Sequence, residues 1–341
     1  GRRRKFLDVI AALVRAGVRA YQVDFLARAM TLYGEDGSHH RVALALPMEE
    51  PYAPMNPSVM LDGDDLVAVI RGVNYRLGDP ERSWPRLPAI RTRNHLARLE
   101  RDGTVREARE IVAAPSIPPA SPSLVEGFED LRLFRWRGRL HASATVRDRN
   151  PAMRCEIALL ALDDDARIVE LALLHGYRDD LHQKNWMPAV DGDDLLFVYL
   201  CDPTAVLRYD PAERRVAVHR EHAPPVALEH LRGGSQLVRF DGGWLALTHE
   251  VAMIDEGRRR YLHRFVAFDR EFRVRAITEP FRFADEPIEF AAGLAFDAAR
   301  GVLLASYGVQ DCRAMMATIE ADAVRRALVA LPGASGDAAR A

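Results

Sequence analysis

Acidic, basic and imidazole side chains recur in this chain at intervals of fifty-odd residues, each time beside a β-rich run. Taking Asp130, Lys184, Ser235 and Gly293 as markers, the steps are 54, 51 and 58 residues. The polar residues at this phase are Asn56 and Arg71, then Glu129, Asp130 and Arg132, then Arg147, Asp148 and Arg149. Lys184 and Asn185 follow, then Ser235, His249, Tyr261 and His263, and last Glu289 and Asp311. A charge aimed into a protein interior costs several kcal/mol unless it is paired or holds a ligand. So many at one phase imply either a binding site or a closed ion-pair network.

Two kinds of chemistry are available to such a set. Glu129 and Asp130 are adjacent in a strand, so their side chains are expected on opposite faces, and Asp130 shares its face with Arg132. A single inward carboxyl can act as general acid to a glycosidic oxygen, provided its pKa is raised. Arg147, Arg149, Lys184, His249, Tyr261 and His263 supply the forks, point charges and hydrogen bonds that a phosphate needs. Together they describe an oxyanion pocket beside an acid.

Other chemistries find little support. His39-His40 has no carboxylate or cysteine at ligand spacing, and no His-Glu-x-x-His is present, so no metal is expected. The aspartate run Asp163-Asp164-Asp165 lacks a calcium loop's spacing. Neither a phosphate-cradling nor a dinucleotide glycine motif appears, nor a Gly-x-Ser-x-Gly elbow, and no cofactor is expected.

The elements that must position these residues are strands. Asn56 to Leu61 leads through Asp62-Gly63-Asp64-Asp65 into Leu66 to Arg71, and hairpins follow at Gly138, Asp191-Gly192 and Asp241-Gly242-Gly243. A period near fifty suits a propeller blade of about four strands, whose innermost strand lines a central channel. The expected fold is therefore all-β, a five-bladed β-propeller with an N-terminal helical segment. Phe6 to Leu32 places Phe6, Ile10, Leu13, Val14, Val18, Tyr21, Phe25 and Leu26 at helical steps. The expected division is a helical segment over 1–40, the propeller over 41–320, and a short helix with a tail over 321–341. The 74 residues between Asn56 and Asp130 exceed one period, and Leu77 to Pro122 is expected to hold a rim loop.

Composition sets the remaining bounds. The 341 residues carry a net charge of −2, so no global field favours nucleic acid, and the basic Arg2-Arg3-Arg4-Lys5 is local. Three cysteines, Cys155, Cys201 and Cys312, fall in β-like stretches and are expected as free thiols of a reducing, cytoplasmic compartment. No apolar run reaches the length of a membrane span or a secretory signal. A chain that starts Gly-Arg-Arg-Arg, without Met, is expected to come from a longer, multidomain protein.

Several short motifs, in order, resemble glycoside hydrolase family 130, the β-mannoside phosphorylases. Glu129-Asp130-Leu131-Arg132 resembles that family's Glu-Asp-Pro-Arg signature, and Lys184-Asn185-Trp186-Met187-Pro188 is similar to its Lys-containing blade start. Thr248-His249-Glu250, Tyr261-Leu262-His263-Arg264, Ile288 to Gly293 and Tyr307 to Asp311 resemble four further motifs. The resemblance spans roughly Asn56 to Glu320. It implies a sole proton donor at Asp130, acting through a sugar hydroxyl while inorganic phosphate attacks the anomeric carbon with inversion. It also implies phosphate binding by Lys184, His249, Tyr261 and one of Arg147 or Arg149. Asn56, Arg71, Arg132, Asn185, Ser235, His263, Glu289 and Asp311 are left to bind sugar. Members that hydrolyse lose the basic set, so its presence here argues against simple hydrolysis.

Three positions depart from the family pattern: Leu131 replaces proline, Glu250 replaces glycine, and His263 stands where arginine is usual. Related five-bladed mannosyltransferases use a nucleotide sugar, whose diphosphate would take the basic pocket. Phosphorolysis or synthesis of a β-mannoside is thus the first expectation. Transfer from a nucleotide sugar such as GDP-mannose is the second, and a non-catalytic sugar-binding propeller the third.

Overall fold

The computed structural model describes residues 20–24, 29–33, 40–77, 81, 88–118, 120–254, 258–284 and 286–332. Five largely antiparallel sheets hold most of the described strands. The first blade runs Ala53–Asp62, Asp65–Val73, Ile90–Leu99 and Val105–Glu110. Glu129–Trp136, Arg139–Val146, Glu156–Leu162 and Arg167–Leu173 form the second. The third comprises Met187–Asp191, Asp194–Tyr199, Thr204–Asp210 and Arg215–His222.

In the fourth blade the inner strand comes in two pieces. Arg232–Gly233 and Val238–Phe240 both pair with Gly243–Ile254, and Arg258–Phe268 and Val274–Ile277 complete the sheet. Glu289–Asp297, Val302–Val309 and Arg313–Glu320 make three strands of the fifth. Its outer strand is His40–Ala43, from the opposite end of the chain. That antiparallel pairing closes the ring, and a closed ring leaves only the short outer strand edges for stray pairing.

Packing explains why five blades hold together. Each blade's alternating apolar residues meet those of its neighbour, giving five inter-blade clusters. Met60, Leu133 and Leu160 join blades one and two. Phe134, Trp186 and Phe197 join two and three. Leu196, Trp244 and Phe272 join three and four. Leu247, Leu294 and Tyr307 join four and five, and Val59, Ala68 and Leu304 join five and one. Polar groups stitch the inner strands as well: Gln236 donates to the Val59 carbonyl at 2.7 Å, and Ser306 donates to the Pro57 carbonyl at 2.7 Å.

Two expectations are corrected. Ala20–Asp24 and Ala29–Tyr33 form an antiparallel pair rather than continuing the helix expected over Phe6 to Leu32, and residues 1–19 lie outside the described residues. The apolar steps in this stretch serve a period of two as readily as one of 3.6, which is how the ambiguity arises. Leu77 to Pro122 is not a rim loop throughout, because the two outer strands of blade one lie inside it. Val112–Ala113 then adds to the outer edge of blade two, and Val125–Glu126 returns to pair with Ile90–Leu99. At the far end, the short helix Ala321–Ala327 precedes Val329–Ala330, which joins the outer edge of blade four. No helix among the described residues is long and apolar enough to cross a membrane.

Candidate active site

The starts of the inner strands and the ends of the second strands meet at one end of the channel. Inner strands one and two are bulged at the same place: between Met55 and Ser58, and between Glu129 and Arg132. The bulged residues Asn56 and Asp130 have φ of 39° and 51°, and Asn185, at the corresponding point before the third inner strand, has 60°. Asn and Asp tolerate this left-handed region better than other non-glycine residues, so three blades can place a short polar side chain there. The bulge turns that side chain toward the axis.

Asp130 is the centre of the network. Asn56 Nδ2 donates to its Oδ1 at 2.8 Å, and Arg71 Nη1 donates to the same oxygen at 2.7 Å. Arg71 also donates to Thr92 Oγ1 at 3.2 Å. Burial pushes the Asp130 carboxyl upward, but Arg71, the Asn56 amide, Arg132 and Lys184 outweigh it and hold the pKa below the usual range. This reverses the raised pKa that the sequence led us to require of an acid. Arg132 clamps the axis, with Nε donating to Gly234 O at 2.6 Å, Nη1 to Asp130 O at 2.9 Å and Nη2 to Asn185 Oδ1 at 3.2 Å.

The expected separation of Glu129 and Asp130 onto opposite faces does not hold either. The bulge breaks the alternation between them, and both carboxyls reach Arg71. Glu129 sits 3.8 Å from Arg71 Nη2, 3.7 Å from Arg147 Nε and 3.9 Å from Lys184 Nζ. Asp311 joins from blade five, where it accepts a 2.6 Å hydrogen bond from the Tyr75 hydroxyl. Burial pushes its carboxyl upward, and Asp130 adds to that while Tyr75 and Arg71 oppose it.

His249 and Tyr261 pair on blade four, their rings stacked at 5.7 Å, with Phe290 edge-on to His249 at 5.0 Å. Burial, aided by His263, Arg132 and Arg232, pulls the His249 imidazole down to about 3. It is neutral at physiological pH, a hydrogen-bonding group rather than a cation. Its Nδ1 is buried without a partner.

Of the residues singled out in the sequence, the structure brings together Asn56, Arg71, Glu129, Asp130, Arg132, Arg147, Lys184, Asn185 and Asp311, with the His249–Tyr261 pair on blade four close enough for Arg132 to act on His249. Four others are engaged elsewhere. Arg149 donates to the Pro118 carbonyl and lies over the Phe128 ring, which leaves Arg147 as the arginine of the pair near Lys184. Ser235 accepts from Leu247 N at 3.0 Å and donates to Gln236 O at 2.8 Å. His263 is fully buried against Phe281 and Phe283, with Nε2 accepting from Ala291 N. Glu289 accepts from the amides of Phe283 and Ala284 at 2.7 and 2.9 Å, holding a loop. Tyr75 and Thr92 were missed. Tyr75 follows the second strand of blade one just as Arg147 follows that of blade two, so its phase was readable.

A buried carboxylate flanked by an amide and an arginine, with a lysine and a second arginine at the same mouth, defines a polar site at the axis of a five-bladed propeller. No protein-family model matches the chain, and no curated protein matches its sequence. Among solved structures it is similar to a β-1,2-mannobiose phosphorylase from Listeria innocua, at 14% identity and a TM-score of 0.57, over 84% of this chain and 98% of that one. A mannose phosphorylase from Leishmania mexicana, solved with a phosphate ion, is similar at 14% identity and a TM-score of 0.54, over 97% and 98%. So is a glycosyl hydrolase from Bacteroides ovatus, at 14% identity and 0.53, over 79% and 84%. These likenesses establish the fold, which is that of the mannoside phosphorylases of family 130.

Proposed function

We propose that this protein is a carbohydrate-active enzyme that exchanges a β-linked mannosyl group between a sugar hydroxyl and inorganic phosphate, with inversion. Asp130 gives its proton to the leaving oxygen, relayed by a sugar hydroxyl, as the anomeric C–O bond breaks. Phosphate, held by Lys184 and Arg147 with hydrogen bonds from His249 and Tyr261, forms the new C–O bond from the opposite face. The product is an α-mannosyl phosphate. Asn56, Arg71 and Asn185 hold the acid and the ring around it.

One observation carries this reading above the others. Asp130, the buried acid bonded to both Asn56 and Arg71, shares Arg71 with Glu129, whose other cationic neighbours are Arg147 and Lys184. Acid and anion pocket are thus one constellation, as phosphorolysis requires. The mannoside phosphorylases it resembles in fold, one of them solved with phosphate, are consistent with this choice.

Incubation with α-mannose 1-phosphate and a panel of sugar acceptors, then with GDP-mannose, tests it. Disaccharide and free phosphate from the first donor alone is the expected result. Product from GDP-mannose alone would replace phosphorolysis by nucleotide-sugar transfer. No product from either, with measurable sugar binding, would leave a non-catalytic propeller.

A further inference from the structure

Glu129 has no part in the chemistry described above, yet it is buried at its centre. Its three cationic neighbours come from three places: Arg71 from blade one, Arg147 from the end of a strand in blade two, and Lys184 from the approach to blade three. Each lies 3.7–3.9 Å away, outside hydrogen-bond range, and Glu129 Oε1 is buried without a hydrogen-bond partner. A structural arginine pair on a buried carboxylate closes to hydrogen-bond distance, as Arg101 does on Asp297, outside the site, at 3.0 Å. Here three cations surround one loosely held anion. Without it they would repel one another.

Charge counting shows what a ligand must do. Arg71, Arg132, Arg147 and Lys184 contribute four positive charges, and Glu129, Asp130 and Asp311 three negative ones, for a net of +1. Of the other titratable neighbours, Tyr75 and Cys155 are pushed upward by burial and stay protonated, while burial keeps His249 neutral. A dianion entering beside Lys184 and Arg147 would bring the cluster to −1 and set itself against Glu129 for the same cations. Like charges that close are not both kept ionised at low cost.

We propose that Glu129 is a positioning residue, the resident counter-ion of the empty anion pocket, and that anion binding drives about one proton from solvent onto the Glu129–Asp130 pair. This deepens the reading above and rests on it. The new O–H bond sits on a carboxyl oxygen and the proton comes from water, so no further reactant is needed. The same event supplies the proton that Asp130 must donate. Phosphate binding would thereby arm the acid, and water entering without phosphate would meet an ionised one.

Calorimetry of the intact protein with inorganic phosphate and with sulfate, in buffers of different ionisation enthalpy, reads the proton directly. Sulfate is a dianion throughout the working range, so its uptake cannot come from the ligand. The expected result is uptake of about one proton with sulfate, and with phosphate at pH 8 where it too is mostly the dianion, and an affinity for sulfate that falls about tenfold per unit rise in pH. Glu129→Gln should bind sulfate several-fold more tightly at pH 8, with little uptake and a flat pH dependence. A structural role would predict weaker binding instead. Sulfate binding with no proton uptake in the wild-type protein overturns this proposal alone, and needs no variant to fold. So does unchanged uptake in Glu129→Gln, which would place the proton on another group such as Asp311. Absence of binding by both anions overturns the phosphate pocket as well.

Discussion

Asp130 faces two demands that oppose each other. It must be buried against the substrate to act on a glycosidic oxygen, and it must carry a proton when it does. Burial favours the proton, while Arg71 and Asn56 favour the bare carboxylate, and the second pair prevails in the free protein. Asp130→Asn keeps the size and one acceptor but has no proton to give. It should lower turnover by about 10²–10⁴-fold, the usual worth of a general acid, with an unchanged far-ultraviolet circular dichroism spectrum to show that the fold is intact. Full activity in that variant would remove the assignment. Lys184→Ala deletes a half-exposed cation, and a charge-assisted hydrogen bond is worth about 1.5–3 kcal/mol. The KM for phosphate should rise about tenfold or more while that for the mannoside moves little, and equal changes in both would contradict an anion role.

At the scale of elements, the left-handed bulges decide which residues reach the site, and they also mark what the sequence revealed and what it hid. The fifty-residue period, the hairpin turns and the phase of Asn56, Asp130 and Lys184 were legible because turn chemistry and charge are local signals. That Glu129 joins Asp130 was not, since alternation assigns adjacent residues to opposite faces and the bulge is visible only in the pairing register. Likewise, Ser235 and Glu289 have the right phase but are consumed by backbone amides that no sequence pattern announces. The bulge at Asn56 has its own support in blade five. A Cβ on Gly308 would lie 2.0 Å from Asn56 Oδ1 and 2.7 Å from its backbone nitrogen. Gly308→Ala should therefore cost about 1–3 kcal/mol in stability and pull the amide off Asp130, lowering kcat more than it raises KM. Gly138→Ala, at an exposed hairpin tip with open space around the added carbon, is the control and should leave kcat alone. If both variants behave alike, the support of Asn56 by blade five is not what sets the acid.

For the molecule as a whole, burying imidazoles and a carboxyl near the axis makes stability depend on pH in a direction that can be worked out. Burial holds His249 and His263 down to about 3, against about 6.5 in an unfolded chain. Below about pH 6.5 the unfolded state binds protons that the native state refuses, so these two residues destabilise the fold as pH falls. Burial pushes Glu289 the other way, up to about 7, even though the amides of Phe283 and Ala284 oppose it. Between about pH 7 and 4.5 the native state holds that proton and the unfolded chain does not, which stabilises the fold as pH falls. From these three groups, then, the unfolded state takes up about one net proton in the upper window and two below it, each worth about 1.4 kcal/mol per pH unit. His95 and His141, also lowered by burial, add to the loss with the same sign. Urea unfolding at pH 7, 6 and 5 should show stability decreasing toward acid. The slope should steepen by about one proton's worth in Glu289→Gln and flatten by about one in His263→Gln, whatever each substitution costs at pH 7. Stability that is level or rising from pH 6.5 to 5 in the wild-type protein would mean that the imidazoles are charged in the folded state, and with a charged His249 the anion pocket would gain a third cation.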